Sequence, residues 1–206
     1  LILDRKVGSY EVPKGWFIWA AGNRKEDHAA VFDMPAPLGN RFIHYYISPD
    51  LDSFKVYGLA NGLHEQILAC VAYRPELLHK VHAQYPAWPS PRTWEMASNV
   101  HSANLDIVPA VGIAAALEFQ AFVSLVEDMP DLTNILDGKG SAKFPNEPSV
   151  RYAVTIGLSA RAKNVDQSMN AFLWMMEKAP AEWVQLLAAD MLRLSRQRGQ
   201  IGELAK

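Results

Sequence analysis

Trp16-Phe17-Ile18-Trp19-Ala20-Ala21 carries no charge over six residues and is bounded by Gly15 and Gly22. A run so short and so apolar predicts a strand covered on both faces. Sheets covered on both faces are mostly parallel, with helices packed above and below. Phe42-Ile43-His44-Tyr45-Tyr46-Ile47 predicts a second strand, closed by Ser48-Pro49. Upstream, residues 1–3 and 9–12 predict short extended runs, with Lys6-Val7-Gly8 as the hairpin connection. The first 48 residues therefore read as α/β.

Beyond Pro49 the pattern turns helical. Asp50 predicts an N-cap for a helix over 51–60, and Asn61-Gly62 a stop. A helix over 64–82 is expected, interrupted at Pro75. Residues 86–91 hold three prolines and predict a rigid loop. Ser90 then caps a new helix with Pro91 at its first position. Residues 113–129 are almost wholly apolar, which predicts a long buried helix. Pro130 opens a third segment, in which 138–148 predicts a long exposed loop and 149–162 a helix. Val165, Met169, Phe172 and Met176 fall at helical spacing, as do Trp183, Leu186, Leu187, Met191 and Leu194. Both sets read as core faces. The expected fold is α+β and mainly α, divided at 1–48, 49–129 and 130–206.

The formal net charge of −2 gives no reason to expect nucleic acid or an acidic membrane as a partner. No window reaches the roughly 18 uninterrupted apolar residues of a membrane span; the nearest, 108–126, is broken by Pro109, Glu118 and Gln120. A single cysteine, Cys70, excludes an internal disulfide framework and suits a reducing, cytoplasmic location. No signal-peptide pattern opens the sequence. It starts at Leu1, without methionine and inside an apolar run, which is the expectation for a piece of a longer chain or a protease cut.

Three residues are candidates for chemistry. Asn23 lies just past the end of the first apolar strand, where ligand sites form in open α/β sheets. Its amide can both donate and accept, and so hold a water against a phosphate oxygen. By position alone, Asn23 and Arg24 reading as the start of a polar loop, 24–28, is the simpler account. Arg41 precedes the second strand and can project its guanidinium from the surface. Arginine is the residue of choice for stabilising a transferring phosphoryl group in trans, although a surface ion pair is the commoner role. Arg92 sits in the first turn after Ser90-Pro91. A cation there opposes the helix dipole by roughly 0.3–1 kcal/mol, and a bound anion reverses the sign. A swing of Arg92 back to Glu95 or another acid explains it equally well.

Two mimics fail. Leu1-Ile2-Leu3-Asp4 has the shape of a Walker B strand, but Arg5 stands where a catalytic acid is needed. Gly138-Lys139-Gly140-Ser141 resembles the end of a Walker A motif, but Thr133 occupies the first glycine position and Gly140 follows the lysine. The six histidines show no metal-ligand spacing; His79 and His82, three apart, read as a solvated helix face. No nucleophile elbow or dinucleotide fingerprint occurs.

The order of these runs resembles the C-terminal portion of MoxR-type AAA+ ATPases along nearly the whole chain. Leu3-Asp4-Arg5-Lys6-Val7-Gly8-Ser9-Tyr10 with Pro13-Lys14-Gly15-Trp16 is similar to the hairpin before the first sensor. Ala20-Ala21-Gly22-Asn23-Arg24 resembles the sensor strand and its asparagine. Met34-Pro35-Ala36-Pro37-Leu38-Gly39-Asn40-Arg41-Phe42 resembles the helix that ends in the arginine finger. Tyr73-Arg74-Pro75-Glu76-Leu77-Leu78-His79 and Trp88-Pro89-Ser90-Pro91-Arg92-Thr93-Trp94-Glu95 are similar to the helical lid with its second-sensor arginine. The resemblance implies the remnant of an AAA+ core, then a lid, then a helical extension. It implies that Asn23 orients attacking water, that Arg41 reaches a neighbour's nucleotide, and that Arg92 contacts phosphate from the lid. It further implies a homo-oligomeric ring, commonly a hexamer, acting as a chaperone-like remodeller with a von Willebrand factor A domain partner. ATP and Mg²⁺ are expected for the intact protein. The chain as it stands lacks the P-loop and Walker B acids, so it is expected to bind neither and to be inactive alone. The competing expectation is a non-catalytic helical interaction module derived from such an ATPase.

Overall fold

The Asp50 carboxylate accepts a 2.8 Å hydrogen bond from the Ser53 amide and starts α2 (Leu51–Ala60), at the boundary between two units, residues 1–48 and 49–206. The computed structural model describes residues 2–23, 34–82, 84–126 and 129–197. Among these the protein is mainly helical, with ten α-helices and one two-stranded ladder.

In the first unit, β1 (Lys6–Val7) pairs antiparallel with β2 (Tyr10–Glu11), placing Lys6 opposite Glu11 and Val7 opposite Tyr10. Gly8 has φ of +59°, while Ser9 keeps an ordinary negative φ. That pattern makes Gly8-Ser9 a two-residue turn with glycine at its first position. It shifts the hairpin from its expected register, because Lys6 and Val7 belong to the ladder and not to the connection. Ile2, Leu3 and Asp4 form a turn and not a strand; Leu1 lies outside the described residues. Arg5 ties the hairpin base by donating to the carbonyls of Pro13 (3.0 Å) and Trp16 (2.8 Å). A short helix, α1 (Ala36–Gly39), follows Pro35.

The two decisive apolar runs do not become strands. Residues 16–23 and 43–48 run without helix, turn, bend or ladder. Phe17, Trp19, Ile43 and Ile47 each remain more than 80% exposed. A strand is completed by the neighbour that pairs its main chain, and no described segment lies in register with either run.

The second unit holds the core. α3 (Glu65–Tyr73) buries six consecutive residues, Ile67 to Ala72, and packs against α8 (Pro148–Arg161). Gly157 of α8 permits close packing: a Cβ there would lie 2.5 Å from Leu132 Cδ1. Gly62 (φ +70°) ends α2, with the Leu63 amide donating back to the Gly58 carbonyl, a Schellman closure. The expected 64–82 helix stops at Tyr73. Arg74 precedes Pro75 and is driven out of helical geometry (φ −125°, ψ 77°), leaving a 3-10 turn, Pro75–Leu77.

α4 (Pro91–Ser102) begins as expected, with Ser90 accepting from Thr93 N and Thr93 Oγ1 accepting from Ser90 N. The buried Trp94 donates its indole N–H to the Leu77 carbonyl at 2.7 Å. α5 (Val108–Val111) and α6 (Ile113–Leu125) meet at Gly112, whose Cβ position lies 2.6 Å from the Ala87 carbonyl oxygen. α6 is not fully buried: Ala115, Ala116, Phe119 and Phe122 face the core, while Ile113, Leu117 and Leu125 face solvent.

α7 (Leu132–Leu136) leads into the expected loop, which is pinned and not free. Phe144 is buried against Trp174 and Trp183. Lys178 donates to the carbonyls of Gly140 and Ala142, both at 3.1 Å. α9 (Val165–Lys178) buries Ala171, Trp174 and Met175. The stripe expected to be its core face is largely solvent-facing, with Met169 and Met176 exposed beside Leu173. α10 (Ala181–Gln197) buries Trp183, Leu187, Met191 and Leu194, in keeping with its spacing.

Candidate functional site

In the first unit, Asn23 and Arg41 line one cleft of about 900 Å³. Its walls are the two apolar runs, 17–23 and 42–47, so the chain segments that carry the candidates also build the cavity. Arg41 follows α1, whose end is turned by the Arg41 and Phe42 amides donating to Leu38 and Gly39 carbonyls. The His44 ring adds a 2.9 Å bond to the Gly39 carbonyl. Among the described residues Arg41 is the only charged one that lines the cleft, and its guanidinium bonds to none of them. Arg24, beside Asn23 in the sequence, and the rest of the 24–28 loop lie outside the described residues.

Arg92 belongs to the second unit, exposed in the first turn of α4. It makes no ion pair with a described residue. Glu95 does not receive it; its carboxylate accepts the Tyr57 hydroxyl at 3.0 Å. Arg5, Arg74, Arg151, Arg161 and Arg193 all hold acceptors. Arg196 resembles Arg41 and Arg92 in having none among the described residues.

The Walker-like stretch at 138–141 has a structural explanation. Gly138 (φ +74°) and Lys139 donate their amides to Ile135 and Asn134 carbonyls, closing α7 as a Schellman motif. Gly140 is squeezed, since a Cβ there would sit 2.8 Å from Ile135 Cγ1. No phosphate cradle forms. Neither a P-loop lysine nor Walker B acids exist in the sequence, and no group of three potential metal ligands assembles among the described residues.

Cys70 is fully buried on α3, and burial pushes its thiol up to about 12, so it is no nucleophile at neutral pH. His79 and His82 lie outside any helix and not on one helical face. His79 meets Trp88 edge-on at 5.6 Å, and His82 meets Tyr85 at 5.9 Å.

One cluster escaped the sequence reading. His64 and His101 stack edge to face at 4.4 Å, and His101 Nε2 donates to the Gln66 amide oxygen at 2.9 Å. His64 Nδ1 caps α3 by accepting from Gln66 N. Burial lowers the pKa of both rings, with Arg161 lowering and Glu65 raising that of His64. Glu65 grips the Arg161 guanidinium through Nε and Nη2. The Glu65 bond in turn raises the Arg161 pKa. Arg161 lines two clefts, of about 530 and 300 Å³. No spacing rule finds a pair 96 residues apart; only the packing of α3 on α8 assembles it.

No protein-family model matches the chain, and neither a curated protein nor a solved structure does.

Proposed function

We propose that the chain is the sensor and lid portion of a MoxR-type AAA+ ATPase, contributing Asn23, Arg41 and Arg92 to ATP-driven remodelling in a cytoplasmic ring. The observation that carries this reading is the uncommitted state of its two arginines. Arg41 and Arg92 have no acceptor among the described residues. Arg92 also stands against the helix dipole. An arginine without an internal acceptor is available for phosphate oxygens presented from outside. In this reading Arg41 acts on a nucleotide held by the neighbouring subunit, and Asn23 orients water in its own subunit. The nucleotide's main anchor comes from a P-loop in residues beyond this sequence. No described helix is long and apolar enough to cross a membrane.

The test is the intact mass of the protein in extracts of its native source, with peptide mapping. A mass well above 23.0 kDa, with upstream peptides containing Gly-x-x-x-x-Gly-Lys-Ser/Thr, is the expected result. A mass of 23.0 kDa overturns it.

A second reading, a non-catalytic helical interaction module, is favoured by one observation. Met169, Leu173 and Met176 form an exposed apolar stripe on α9, and methionine-rich faces suit adaptable protein contacts. A mass of 23.0 kDa selects this reading.

A further inference from the structure

We propose that segment 140–145 is the internal occupant of a binding site formed by α8, α9 and α10, and that the external ligand of this site is a small aromatic carboxylate. Two polar atoms of the site lack an acceptor. Trp174 of α9 and Trp183 of α10 are 5% and 9% exposed. Their indole N–H groups are buried and hydrogen-bond to nothing among the described residues. Buried indole donors ordinarily find a partner. An edge-on ring, such as the one Tyr152 offers Trp183 at 4.9 Å, replaces that partner only weakly. Both indoles pack on the same ring, that of Phe144, at 6.1 Å.

The cations around Phe144 are also without the partner that suits them. Arg151 of α8 lies over the Phe144 and Trp183 rings at 5.6 and 5.9 Å, and Lys178 of α9 over Trp174 at 5.9 Å. Neither makes an ion pair with a described residue. Both donate to main-chain carbonyls of the segment: Arg151 Nε to Pro145 at 2.9 Å, and Lys178 Nζ to Gly140 and Ala142 at 3.1 Å. A carboxylate answers each cation with a full charge where a carbonyl offers only a dipole, and the bonds are shorter and stronger. The segment is held by little else. Residues 139–147 contain no helix or ladder, and no main-chain amide from Gly140 to Asn146 donates to a described group. In an arylalkyl carboxylate, the ring takes the place of Phe144 against the indoles, and the oxygens supply the acceptor that the cations and the indole donors lack. The two cations disfavour an aromatic amine, and a neutral aromatic gains the ring contacts alone. This inference rests on the second unit and stands apart from any nucleotide-linked role.

The probe is phenylpropionate, titrated into the whole isotope-labelled chain and followed by NMR, with the indole N–H resonances assigned through Trp174→Phe and Trp183→Phe. Phenylpropanol is the neutral control, and equilibrium dialysis gives both affinities. The tethered segment competes from within, so wild-type binding is expected at a Kd of about 1 mM, and Phe144→Ala should tighten it by about tenfold or more. In both proteins the acid should bind several-fold more tightly than the alcohol, and Lys178→Met should lower that preference. Saturation should move both indole N–H resonances downfield, as hydrogen bonding to an anion does. Equal affinity for acid and alcohol in Phe144→Ala reduces the site to an apolar hole and overturns the proposal. So do indole resonances that stay in place at saturation, which leave both N–H groups to buried water. If circular dichroism shows Phe144→Ala unfolded, Phe144→Leu replaces it. Failure of that variant to tighten binding, or no binding to the wild-type chain, overturns the proposal equally.

Discussion

Lys55 on α2 places its ammonium 3.1 Å from Asp190 Oδ1 and 2.9 Å from Oδ2 of α10, with both side chains at most 3% exposed. Oδ1 accepts the hydrogen bond. Oδ2 is nearer but out of hydrogen-bonding alignment, and is otherwise unpartnered. The pair ties the first long helix of the unit to the last across 135 residues. Removing one partner strands the other as a buried charge, which costs about 3–5 kcal/mol, whereas apolar replacement of both is far milder. Urea unfolding should show Lys55→Met and Asp190→Leu each strongly destabilised and the double variant closer to wild type. Additive losses in the double variant would contradict this.

His64 and His101 make stability depend on pH. Burial lowers both pKa values from 6.5, so the folded state binds fewer protons than the unfolded chain near that pH. Their contribution is fully present above about 6.5 and is lost as pH falls through the lowered folded values. Protonating His64 also removes the ring acceptor that caps α3. Melting temperature should fall from pH 7 to pH 5, and the slope should shrink in a His64→Asn/His101→Phe variant, which retains a cap and a ring. An unchanged slope sinks this account.

Arg92 has a sign that distinguishes function from structure. With no partner in the first turn of α4, its charge is locally unfavourable. Arg92→Glu should stabilise the chain by about 0.3–1 kcal/mol in low salt. A destabilised variant would mean that Arg92 holds a structural contact.

Gly157 lies mid-helix, where alanine ordinarily gains about 1 kcal/mol. Its Cβ would meet Leu132, itself 1% exposed, at 2.5 Å. Overpacking costs about 1–3 kcal/mol, so Gly157→Ala should lower the urea midpoint. A raised midpoint would show that α7 yields freely.

The helices were legible where local chemistry decides them. Asp50, Asn61-Gly62 and Ser90-Pro91 set their boundaries through caps made by neighbouring residues. The strands were not, because residues 16–21 and 42–47 state a need for cover without supplying it. Spacing also located an apolar stripe on α9 but not which of two stripes the core takes: Trp174 and Met175 go in, Met169 and Met176 stay out. Of the site, Asn23 and Arg41 could be singled out and share one cleft. The Glu65–Arg161 and His64–His101 contacts arise from tertiary packing and leave no local trace.

In the proposed function, Arg41 acts on a phosphoryl group presented by another subunit. The direct measurement is ATP turnover of the protein purified from its native source, with Arg41 intact and with Arg41→Ala. Turnover is expected to fall by about 10³–10⁵ in Arg41→Ala, with nucleotide binding retained. Undiminished turnover in Arg41→Ala would contradict it.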